Sequence, residues 1–156
     1  MGKKHLLTFG IIGIATMIFA AGIYAATTVP DVIKLNTKAY AKHTKGTIKF
    51  KHQKHQKDYK KKYPEYYKVS CGECHHDQNN KPRKNLKAGD QVKKCIACHK
   101  KPAYIKGKKA KGLSQKQKLK YHANALHENC KGCHKKVNKK SGKKTSPTTC
   151  KACHGK

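Results

Sequence analysis

Four stretches of this chain share one spacing: Cys71-Gly-Glu-Cys74-His75, Cys95-Ile-Ala-Cys98-His99, Cys130-Lys-Gly-Cys133-His134 and Cys150-Lys-Ala-Cys153-His154. Together they use all eight cysteines. Cys-x-x-Cys-His is the attachment motif of c-type haem. The two thiols close as thioethers on the haem vinyl groups, and the following histidine turns back to ligate the iron. One short turn supplies all three groups. Four-cysteine zinc sites or disulfides would also consume paired cysteines, but neither needs a histidine after every second one. The expected cofactors are therefore four covalently bound haem c groups. Their attachment residues are Cys71, Cys74, Cys95, Cys98, Cys130, Cys133, Cys150 and Cys153, and His75, His99, His134 and His154 are the proximal iron ligands.

The opposite face of each iron needs its own ligand. Methionine is excluded beyond the N-terminal apolar segment, because Met1 and Met17 are the only two in the chain. Lysine must lose a proton before it can ligate, which makes it a weak competitor. Six histidines lie outside the motifs and beyond residue 26: His43, His52, His55, His76, His122 and His127. Bis-histidine ligation of four irons takes four of them and leaves two spare. Iron held in this way has no open coordination position, so electron transfer is expected and enzymatic bond chemistry is not.

The series Phe50-x-His52-x-x-His55, then Cys71-x-x-Cys74-His75-His76, then three further haem motifs resembles the class III cytochrome c family, the tetrahaem cytochrome c3 group. The resemblance covers roughly residues 46–156. It implies that His52 is the distal ligand of the first haem, that His55 crosses to the third, and that His76 serves the second. His127 would serve the fourth, with the nearby His122 as the alternative, and Phe50 would pack between neighbouring haems. The chain departs from the family in its longer stretch between His55 and Cys71. It also has two residues between the cysteines of every motif, where many relatives have four at two sites.

The elements that must position these groups are sparse. Thr47-Ile-Lys-Phe-Lys-His52 alternates apolar and polar residues, as a short strand does. Residues 27–47 read as polar chain extended over the surface, and Pro64 stops any helix formed by the lysine- and tyrosine-rich stretch before it. Asn79-Asn-Lys-Pro82 reads as a turn. Ser114 with Gln117 has the spacing of a capping box. The helix that it starts is expected to run toward His127, with Leu119, Ala123 and Leu126 on one stripe. Residues 135–149 read as a basic loop. His43 is expected to face solvent, and His122 to lie on a helix surface or beside a haem propionate. The expected fold is thus small and mostly irregular, with a few short helices and a short N-terminal β-strand or hairpin, wrapped around four haems in the cytochrome c3 manner.

Composition supports a fold of that kind. From Thr27 onward only fifteen residues are Leu, Ile, Val or Phe. That is about 12%, below the level at which highly charged chains usually remain disordered. Four apolar macrocycles would supply the missing core. The charge is extreme: 38 basic residues, all lysine except Arg83, stand against seven acids, for a net +31. Such a field attracts acidic partners and makes their encounter sensitive to salt.

Met1-Gly-Lys-Lys-His5 followed by an apolar run from Leu6 to about Ala26 has the layout of a secretory signal peptide, with cleavage near Ala25/Ala26. The expected organisation is a signal peptide (1–25), an extended segment (26–46) and a tetrahaem domain (47–156). The cleaved protein is expected in the periplasm without stable membrane insertion. Retention of the apolar run as an anchor is the competing reading, because its length approaches a membrane span.

The family resemblance implies a low-potential electron carrier between periplasmic hydrogenases or formate dehydrogenases and membrane redox complexes. Acidic redox proteins would dock on the lysines around the fourth haem: Lys135, Lys136, Lys139, Lys140, Lys143, Lys144 and Lys151. Nucleic acid is a poor partner for an exported chain with one arginine. A membrane-anchored tetrahaem quinol dehydrogenase and a metal-reducing cytochrome are the alternatives.

Overall fold

The computed structural model describes residues 29–155; the N-terminal apolar segment, with its proposed cleavage site, lies outside them. Strand β1 (Val32–Leu35) pairs antiparallel with β2 (Ile48–Lys51), Ile33 standing opposite Phe50 and Leu35 opposite Ile48. Alternation puts these four apolar side chains on the half-buried face and Lys34, Lys49 and Lys51 toward solvent. The 27–47 segment therefore contributes a strand, which its polar composition concealed. Two apolar residues in a four-residue strand are enough once a partner pairs with them.

Beyond β2 the chain coils through a π-helical turn (Lys54–Tyr59) into α1 (Lys60–Lys62). This ends before Pro64, which opens a single 3-10 turn (Pro64–Tyr66). A second such turn, Ser70–Glu73, holds Cys71 and is followed by Cys74 at its C-terminal cap, and α2 (Cys95–Cys98) carries the second Cys-x-x-Cys pair. The Ser114 capping box is formed, with the Ser114 hydroxyl accepting from Gln117 N–H at 3.3 Å. Its helix, α3 (Gln115–Lys118), stops after one turn, and α4 (His122–His127) starts afresh. The break has a structural cause. Lys101 N–H donates to Lys120 C=O and His122 N–H donates to Lys101 C=O, so backbone groups there serve a bridge to the 101–103 loop and not a helix.

From α4 the backbone stays helical through a π-helical turn (Glu128–Gly132) into α5 (Cys133–Ser141). The expected loop at 135–149 is accordingly helical over its first half. It ends at Gly142, whose φ of 65° is the left-handed conformation that glycine adopts without a Cβ clash. Asn138 then holds the remaining loop through paired bonds with the Ser146 N–H and C=O, both 2.9 Å. A last helix, α6 (Cys150–His154), is capped by Thr149, whose hydroxyl accepts from Ala152 N–H at 3.2 Å.

Among the described residues the apolar core is Ile105 and Ala125, joined by one buried polar residue, His122. No helix among them is long and apolar enough to cross a membrane.

Candidate functional site

Local chain geometry orients the histidines. His75 and His76 lie at the start of a tight reversal: Arg83 N–H donates to His75 C=O, and His76 forms a β-bridge with Pro82. Consecutive residues in extended chain point to opposite sides. Asp77 closes the reversal, its Oδ1 accepting from the N–H groups of Asn79 (2.9 Å) and Lys81 (2.8 Å). His52 and His55 lie three apart on the coil that follows β2, close enough to share a helical face. Phe50 contacts both, with ring centroids 5.7 Å from His52 and 4.8 Å from His55.

Eight histidines meet as four facing pairs. Ring centroids are 6.3 Å apart for His52 and His75, 6.2 Å for His55 and His134, 5.9 Å for His76 and His99, and 6.2 Å for His127 and His154. A metal–imidazole bond of ~2.0 Å with the ring centre ~1.1 Å beyond the nitrogen gives about 6.2 Å for two imidazoles on opposite sides of one metal. The structure therefore brings together the same partners that the resemblance implied, including the crossing of His55 to the third motif.

His127 and His134 share one continuous helix yet face different partners. Seven residues of regular α-helix would place them on nearly one face. The intervening π-helical turn takes up an extra residue, which rotates the two apart by about 100°. That bulge holds Cys130.

The tautomers suit iron ligation. Nδ1 of His55 faces Lys51 C=O (2.9 Å), that of His76 faces Asp77 C=O (2.7 Å), and that of His134 faces Pro147 C=O (2.8 Å). His154 bonds likewise to Gly46 C=O (2.9 Å), and His99 to Leu119 C=O. A carbonyl only accepts, so Nδ1 carries the proton and Nε2 keeps its lone pair for a metal. The His52, His55, His75 and His127 pKa values are lowered chiefly by burial, which holds these rings neutral.

All eight cysteines are free, and no group of three or more His, Cys, Asp or Glu among the described residues could hold a bare ion. Burial, then repulsion from Cys130 and Cys133, pushes the Cys74 thiol up to about 12, even though the residue keeps some open surface. Cys130 is pushed up to about 11 by burial, with Cys95, Cys153 and Cys133 adding to it. Cys130 interacts with cysteines of the second, third and fourth motifs and Cys74 with those of the first and third, so the attachment turns are clustered. Asn129 Nδ2 bonds Cys74 C=O at 3.1 Å and ties the first motif to the third. These imidazole pairs, with a cysteine pair directly before one histidine of each, are the residues that would hold haem, which would supply one-electron chemistry at its iron. The donor set fits haem.

The class III cytochrome c family model matches residues 28–154. This chain belongs to the class III cytochrome c family. No curated protein and no solved structure matches it. Membership makes it a multihaem electron-transfer cytochrome with covalently bound haem c, from a family of electron carriers that are typically periplasmic.

His122 does not lie on a helix surface. It is 8% exposed and its Nδ1 bonds the Tyr40 hydroxyl at 3.0 Å. It opens α4, whose first turn is bonded to the 101–103 loop through the His122 and Ala123 N–H groups, and its ring is covered by Tyr40. His43 is exposed, as expected, with its ring 5.7 Å from Tyr40. Several supports went unread in the sequence. Tyr104 sets its ring against His127 at 4.8 Å and Tyr59 against His55 at 5.1 Å, both edge-on. Asn124 clamps Ile105 through its N–H (2.9 Å) and C=O (3.0 Å). No spacing rule marks these residues, since their partners are brought near only by the fold.

Proposed function

We propose that this cytochrome holds four haem c groups, each between two imidazoles, and carries electrons at low potential between periplasmic dehydrogenases and membrane redox complexes. His75 and His52 hold the first haem, His99 and His76 the second, His134 and His55 the third, and His154 and His127 the fourth. The thioether residues are Cys71 and Cys74, Cys95 and Cys98, Cys130 and Cys133, and Cys150 and Cys153. The four facing imidazole pairs carry this reading.

Haem so ligated supplies reversible one-electron chemistry at iron, with no coordination site left for oxygen or substrate. The chain's own groups do the rest. Carbonyl partners fix the tautomers of His55, His76, His99, His134 and His154, Phe50 contacts both His52 and His55, and the lysines present the docking field. Lys135, Lys136, Lys139, Lys140, Lys143, Lys144 and Lys151 are all exposed. Because α5 carries the first four, this patch spans the third and fourth motifs. The partner proposed is an acidic redox protein of the hydrogenase or formate dehydrogenase kind, or the acidic face of a membrane cytochrome complex. Export through the N-terminal segment completes the proposal.

Intact mass and a redox titration test the core of it together. Four haems, low-spin spectra in both oxidation states and loss of residues 1–25 are the expected results. A smaller haem count, or a vacant axial position in the wild-type spectrum, overturns it.

A further inference from the structure

The four attachment turns carry different charges between their cysteines. The intervening residues are Gly72-Glu73, Ile96-Ala97, Lys131-Gly132 and Lys151-Ala152. One turn thus bears a carboxylate, one is neutral, and two bear an ammonium group. The carboxylate stands out in a chain with seven acids among 38 basic residues.

Glu73 is also held in place. Its Oε1 accepts from Val69 N–H at 3.0 Å, which draws the side chain back over the turn that carries Cys71 and Cys74. The bond from Asn129 to Cys74 C=O brings the third motif beside the same turn. Reduction of a haem adds negative charge to it. A fixed carboxylate nearby disfavours that step, and an ammonium group favours it. Glu73 is exposed, so solvent and salt confine its effect to its immediate neighbours.

We propose that Glu73 is a potential-setting residue. It lowers the reduction potential of the haem on the first motif most and that of the third motif's haem less. The inference rests on the four-haem reading above.

The test is a spectroelectrochemical titration of the full holoprotein, with the individual haems followed by NMR through successive oxidation stages. E73Q removes the charge and keeps an oxygen that can accept from Val69. D31N removes the same charge from an exposed position at the start of β1 and controls for net charge. E73Q is expected to raise the midpoint of the haem bound by His75 most and that bound by His134 next, with little change at the other two. E73K is expected to move them in the same direction about twice as far. Equal movement of all four haems, or shifts no larger than those of D31N, overturn the inference. Haem count and low-spin spectra are recorded first: their loss in the wild type refutes the haem reading and this inference with it, whereas intact haems with unmoved potentials refute this inference alone.

Discussion

The choice between His127 and His122 is the sharpest test of the geometry. They lie five residues apart at opposite ends of α4. Only His127 faces a motif histidine across a ligation distance, its ring 6.2 Å from that of His154. His122 points to Tyr40, the bond between them is 3.0 Å long, and His99, the motif histidine whose charge acts on it, already has a facing partner in His76. Replacing His127 with Ala should free one axial position in four, so that about a quarter of the ferric low-spin intensity is converted to high-spin while all four haems remain attached. Replacing His122 with Ala should leave the spin state unchanged. It removes one part-buried hydrogen bond and opens a small cavity, a loss of about 1–3 kcal/mol of stability. Near-infrared and EPR spectra of the oxidised proteins, with mass spectrometry for haem count, read the first effect; denaturant unfolding reads the second. A quarter-intensity high-spin signal in H122A, with none in H127A, would refute the assignment.

Further expectations follow from single contacts. N124A strands the Ile105 N–H and C=O and should cost about 2–4 kcal/mol in denaturant unfolding; a loss below about half a kcal/mol would show that the clamp carries no weight. In G72A the new Cβ would sit 3.2 Å from the Arg83 carbonyl group. Arg83 N–H bonds His75 C=O at 2.9 Å, so the strain should appear as an altered axial-ligand spectrum at one haem, and four unchanged spectra would count against it. Burial holds His122, which the fold turns away from the motif histidines, below the ordinary histidine value of 6.5. The unfolded chain then binds more protons than the folded one, so stability should be full above about pH 6.5 and fall as pH drops below it; equal guanidinium midpoints at pH 7 and pH 5 would contradict the sign. Imidazole planes cross at 27° for His55 and His134 but at 79° for His127 and His154. Near-parallel axial rings split the iron d-orbitals more than crossed ones, so H55A and H127A should each remove a different class of low-spin EPR signal.

What the sequence makes legible here is the chemistry set by covalent spacing. Cys-x-x-Cys-His names its cofactor because one turn must deliver three groups, and the capping box at Ser114 is visible because its partners are three residues apart. Helix continuity is another matter. Glu128–Ser141 holds few periodic apolar residues, so lysine-rich α5 read as a loop; it persists as the extension of α4, with Asn138 bonded to the returning chain. The pairing of β1 with β2 and the burial of His122 likewise depend on partners far off in sequence. The spare histidines show the same divide. Composition left six candidates for four places, the family pattern favoured four, and only the fold brings His127 to His154 while turning His122 toward Tyr40.

A polypeptide with this interior raises the question of what holds it together. Among the described residues no side chain is completely buried, and the apolar core amounts to Ile105 and Ala125. At about 1.5–3 kcal/mol for each fully buried large apolar side chain, that core falls far short of the conformational entropy of more than a hundred ordered residues. The ordered contacts gather instead around the histidine pairs: Phe50 on His52 and His55, Tyr59 on His55, and Tyr104 on His127. Each pair also joins separate stretches of sequence, and the bond from His154 to Gly46 C=O spans 108 residues. A fold organised in this way has its cross-links where another protein has its hydrophobic centre. On the proposed reading, cofactor attachment and folding should be one event for this chain, and haem-free protein should show no cooperative unfolding transition in a thermal melt.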